Sequence, residues 1–131
     1  MAISSVVGFD IKVTGDETEK EYEGLFKVKT KLSIKDRLRE DEIRRTQLGM
    51  DSQNAGLEAH AIASAVAYLA VRVVESPSWW KECEGGLKLE DSNVLAEVNN
   101  KAMAEIAKEY QKLTKVAETA QVELKKELEK A

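Results

Sequence analysis

His60 and Cys83 are the two side chains of this sequence best suited to chemistry on their own, and each residue type occurs once. A histidine can serve as a general base or a metal ligand. A working base needs a partner that orients it, and a metal site needs several ligands in register. The sequence around His60 supplies neither set, so its position at the start of an apolar run predicts a structural or surface role. Cys83 stands between Glu82 and Glu84, with no cationic neighbour to activate a nucleophile. A single cysteine also leaves no intrachain disulfide, and the simple expectation is a reducing compartment. The carboxylate pairs Asp41-Glu42 and Glu90-Asp91 are adjacent in sequence, so their side chains diverge and read as solubility and capping groups. Gly85-Gly86 lacks the Lys and Ser/Thr of a phosphate-binding loop. No catalytic, metal-binding or cofactor-binding residue is assigned, and the chain reads as a non-enzyme.

Binding chemistry is better represented. Lys27, Lys29 and Lys31 alternate along one run and would give a local positive field suited to nucleic acid or an acidic partner. Edge strands also use lysine to prevent sheet-to-sheet pairing. That second reading fits better with an overall charge of −4 and a pI near 5.2, which argue against a nucleic-acid partner. Arg37, Arg39, Arg44 and Arg45 are interleaved with Asp36, Glu40, Asp41 and Glu42, the mixture of a solvated, ion-paired helix. The net negative charge resides entirely in the later part: residues 1–50 carry ten basic and ten acidic side chains, residues 51–131 ten and fourteen. Trp79-Trp80 leaves two readings open. One indole caps a helical core while its neighbour reaches a partner, or both cover the ends of two helices.

The elements that must position these residues follow from periodicity. Val7, Phe9, Ile11 and Val13 alternate with Gly8, Asp10 and Lys12, and Phe26, Val28, Thr30 and Leu32 alternate with Lys27, Lys29 and Lys31. Both runs have the period of a half-buried strand. Together they predict a β-hairpin, marginal alone in water and therefore packed on downstream helices. Ser33, with Asp36 three residues later, predicts a capped helix over residues 34–48 that Gly49 ends, followed by a loop over residues 50–56. Residues 57–75 are apolar on nearly every face and predict a largely buried helix that Pro77 stops. A loop over residues 76–91 leads to a last helix, which Asp91 or Ser92 can cap. There Leu95, Val98, Ala102, Ile106, Tyr110, Leu113 and Ala117 form one stripe, before Val122, Leu124 and Leu128 in a charged, solvent-exposed helical tail.

The expected architecture is mainly α (α+β), an N-terminal β-hairpin packed on a small bundle of about three helices. At 131 residues it fits a single domain, divided into a hairpin (1–33), a helical core (34–117) and a charged tail (118–131). The N-terminus lacks the order of a signal peptide. The most apolar stretch, residues 61–71, falls short of the roughly 20 residues of a membrane span, so a soluble protein is expected.

Three short segments carry a family resemblance. They are Lys29-Thr30-Lys31-Leu32-Ser33-Ile34-Lys35-Asp36-Arg37, then Pro77-Ser78-Trp79-Trp80, then Leu89-Glu90-Asp91-Ser92-Asn93-Val94-Leu95. In this order, over residues 25–115, the chain resembles the tail assembly chaperones of long-tailed (siphovirus-type) bacteriophages. The resemblance implies a non-enzymatic helper that binds the tape measure protein, keeps it soluble and helps recruit tail tube proteins. It further implies work in the host bacterial cytoplasm during assembly and absence from the mature virion. A homo-oligomer, with no nucleic acid and no membrane among its partners, is the matching expectation. The expected protein-interaction surface comprises Trp79, Trp80, Leu87, Leu89, Val94 and Leu95. Competing expectations are a tail-completion or head–tail connector protein, which would stay in the particle, and a small regulatory or adaptor protein.

Overall fold

A computed structural model describes residues 5–49 and 55–130. Strands β1 (Val6–Thr14) and β2 (Glu21–Lys29) form the expected antiparallel hairpin, with Phe9 opposite Phe26 and Val7 opposite Val28. Helix α1 (Ile34–Leu48) and helix α2 (Leu57–Arg72) follow, and then a third strand, β3 (Val73–Glu75). A one-turn helix, α3 (Ser78–Glu82), leads to α4 (Ser92–Lys130), which is 39 residues long. The sheet order is β1-β2-β3, all antiparallel. The fold is therefore α+β.

The alternation of the hairpin places Phe9, Ile11, Phe26 and Val28 on one buried face. That face meets Ala65, Val66 and Leu69 of α2 and Leu95, Val98, Ala102 and Ile106 of α4 in a single core. The phenyl rings of Phe9 and Phe26 stack with centroids 5.4 Å apart, which adds directional packing to area burial. The alanines of α2 let its neighbours approach closely, and Ala63, Ala65 and Ala67 are all buried. Helix α1 differs: none of its residues is buried. It is tied to α2 by Glu40 with Arg72, whose guanidinium also lies 3.6 Å from the centre of the Tyr68 ring. Burial raises the Tyr68 phenol above its ordinary pKa. The α1 start is the capping box expected at Ser33 and Asp36, each bonded to the other's backbone N–H. Gly49 ends it at φ 80°.

Four expectations need correction. Residues 73–75 are strand, not the last turn of α2: Glu75 pairs with Lys27 and Val73 with Val28. This makes β2 a central strand, so its lysines do not guard an edge. Lys27 pairs with Glu75 at 3.2 Å and Lys29 with Asp36 at 3.6 Å. Residues 78–82 are a helical turn inside the anticipated loop. On α4 the buried stripe passes through Glu109, while Tyr110 is 45% exposed and donates its hydroxyl to the Thr30 carbonyl. Of the loop expected over residues 50–56, residues 50–54 lie outside the described residues.

Candidate protein-interaction site

The tryptophan pair is built into the core by residues from the far end of the chain. Pro77 lies directly on Gly24 of β2, where a Cβ would collide with the proline ring. That close approach aims α3 at the sheet. Trp80 is 4% exposed and meets Phe26 edge-on at 5.3 Å. Trp79 is half-buried, edge-on to Tyr22 at 4.9 Å and to Phe26 at 5.8 Å. Its indole N–H donates to the Glu23 carbonyl at 3.0 Å. Gly86 packs under Trp80 and Leu95 so closely that an added Cβ would lie 2.9 Å from the indole. Both rings therefore cover the sheet and the helix ends, and neither reaches outward from the body.

The six residues expected to form a partner surface are thus mostly core. Trp80, Val94 and Leu95 are buried, while Trp79 and Leu89 are partly buried against the same cluster. Leu87 alone of the six is exposed, at 47%. The misreading has a physical source. Adjacent tryptophans cannot easily both point into one core, yet here both rings meet Phe26 of β2 and each other edge-on, 6.0 Å apart, a neighbourhood that local sequence does not reveal.

The segment Asp91-Ser92-Asn93 has a role that sequence reading missed. Asp91 does not serve as a cap for α4 through its carboxylate. That group is fully buried and accepts from the Glu17 and Thr18 backbone N–H groups at 2.7 and 2.9 Å. It also accepts from the Thr18 hydroxyl at 2.6 Å and the Tyr22 hydroxyl at 3.2 Å. Asn93 adds a two-way grip, donating to the Thr14 carbonyl and accepting from the Asp16 N–H. Gly15 passes against the Asp91 carboxylate, with no room there for a Cβ. The Thr18 hydroxyl leads the bonds that hold the Asp91 pKa below its ordinary value, against the effect of burial. A buried carboxylate is tolerated here because four donors satisfy it. Gly15, Thr18 and Asp91 hint at this clamp only once the hairpin turn and the start of α4 are known to meet.

Exposed apolar surface lies elsewhere, on the distal part of α4. The buried stripe Leu95, Val98, Ala102 and Ile106 continues at helical spacing to Ala120, Leu124 and Leu128. From Gln111 onward every side chain described is exposed. Leu124 is 58% and Leu128 69% exposed. At about 1.5 Å per residue, residues 111–130 reach roughly 30 Å along the axis beyond the body. Val122 is also exposed, on the opposite face of the helix. Leu113 and Ala117, expected to belong to the stripe, lie outside the side chains described.

The residues first weighed for chemistry are dispersed. His60 is half-buried in the first turn of α2, and Cys83 is half-buried at the end of α3. Among the described residues, no group of three or more His, Cys, Asp and Glu could hold a metal ion. Among the same residues, no helix is long and apolar enough to cross a membrane. No family model, curated protein or solved structure matches the chain.

Proposed function

We propose that this protein is a tail assembly chaperone of a long-tailed bacteriophage. In this reading it binds the tape measure protein, keeps it soluble in the host cytoplasm and helps recruit tail tube subunits. It acts without catalysis, as an oligomer, and is absent from the finished particle. The observation that carries the reading is the outer part of α4, where Ala120, Leu124 and Leu128 extend the line of the core stripe into solvent. A long helical client has an apolar seam of its own, and helix-on-helix packing along such a line is a recurring mode of recognition.

The segments that resemble the chaperone family support the reading in a different way. Leu32-Ser33 starts α1, Pro77-Ser78-Trp79-Trp80 seals the core, and Asp91 with Asn93 clamps the hairpin. Each is a scaffold requirement, so a shared scaffold would preserve them while the client surface varied.

The test is co-expression with the tape measure protein. Replacing Leu124 and Leu128 together by Glu should abolish co-purification and leave the melting temperature unchanged. Undiminished co-purification of the double variant would remove the reading. Recovery of the chain from purified virions would instead favour the connector alternative.

A further inference from the structure

Strand β1 is the long free edge of the sheet, and its charges select one partner register. The sheet order is β1-β2-β3, and among the described residues no strand pairs with the outer side of β1. The Thr30 N–H donates to the Ser5 carbonyl, continuing the β1–β2 register in which Val6 faces Lys29. In an antiparallel ladder, bonded and non-bonded pairs alternate. Val7, Phe9, Ile11 and Val13 are therefore bonded to β2. Val6, Gly8, Asp10, Lys12 and Thr14 turn their backbone N–H and C=O groups to the open edge. Helix α4 packs on the buried face of the sheet, and Val6, Gly8, Asp10, Lys12 and Thr14 are all exposed. A surface depression there is lined by β1 at Asp10, Ile11 and Lys12, by Glu23 and Gly24 of β2 and by Glu97 and Lys101 of α4.

We infer that this edge pairs with β1 of a second copy of the chain, in an antiparallel register centred on Ile11. A twofold axis makes a strand face itself, so only registers that oppose edge-facing residues can form bonds. Centring on Asp10 sets Asp10 against Asp10, and centring on Lys12 sets Lys12 against Lys12. Centring on Ile11 sets Asp10 opposite Lys12 twice and Gly8 opposite Thr14 twice, and these four edge-facing pairs are the ones bonded through the backbone. Both charged side chains are exposed on the solvent face of the strand, where directly opposed unlike charges attract and like charges repel. Charges that forbid the neighbouring registers thus favour this one. The result is a continuous six-stranded sheet, β3-β2-β1-β1-β2-β3, with both long edges removed from solvent. The inference concerns β1 alone and does not depend on the role of α4.

Sedimentation of the full chain as a function of concentration tests it. The wild type should shift from 14.6 kDa to about twice that mass. Asp10→Lys should weaken the dimer by about tenfold or more, since it opposes Lys to Lys at both ends of the register. The exchange Asp10→Lys with Lys12→Asp should return the dissociation constant to within about threefold of wild type. Leu124→Glu should leave the dimer intact. Thermal unfolding of each variant separates lost pairing from lost folding. A wild type that stays monomeric, a dimer indifferent to Asp10→Lys, no recovery in the exchanged pair, or dissociation by Leu124→Glu would each overturn the inference.

Discussion

Residues 92–110 and 111–130 belong to one uninterrupted helix and carry one apolar line, yet they have opposite fates. In the first half, Val94, Val98 and Ala102 are completely buried. In the second, Leu124 and Leu128 stand in water. An isolated helix of 20 residues is marginal in water because its first turn is costly to nucleate. Here nucleation is supplied by the buried half, and the outer half needs only propagation. Amphipathic patterning thus tells which face of a helix seeks cover, whereas tertiary structure decides which part of that face finds it within the same chain.

The contrast can be broken from the buried side first. Trp80→Ala removes an indole wedged among Phe26, Gly86 and Leu95, and should cost about 3–5 kcal/mol in denaturant unfolding. Next in size is Asp91→Ala, which takes one acceptor away from four donors. It should lower the unfolding midpoint by less than the loss of Trp80 does. Asp91 also sets a pH dependence. Its folded pKa lies below the ordinary carboxylate value of 3.8, so its stabilisation is fully present above that value. It is lost as pH falls through the lowered folded pKa. Asp91→Asn should flatten this acid limb in urea titrations between neutral pH and pH 2.

Smaller changes sharpen the comparison along α4 itself. Val98→Ala in the buried half should cost about 2 kcal/mol. Leu124→Ala, on the same line but in solvent, should change stability by less than about 0.5 kcal/mol. Equal losses at the two positions would mean that the outer half is packed against the body after all. Amide exchange should likewise show protection falling from Ile106 toward Leu128 in the free protein.

Much of this was legible from local sequence. The strict alternation around Phe9 and Phe26 gave the hairpin and its buried face, and Ser33 with Asp36 gave the start of α1. Strand β3 was not legible, because Val73-Val74-Glu75 continues an apolar helical run and becomes a strand only by pairing with Lys27 and Val28. The α4 stripe was off by one residue at Glu109, since Tyr110 leans aside to reach Thr30. The candidate site misled for a similar reason. Tryptophans near glycines in an apparent loop suggest a partner surface, but Gly24 and Pro77 bring the sheet beneath them. In each case the deciding neighbour lay some 45 or more positions away along the chain.

The grip of Asp91 and Asn93 on the hairpin turn spans 73 to 79 positions of sequence. During synthesis, the turn amides of Glu17 and Thr18 have no acceptor until Asp91 has left the ribosome. The hairpin is therefore made well before it can be locked, and a nascent chain halted before this point should hold a hairpin that opens readily to protease.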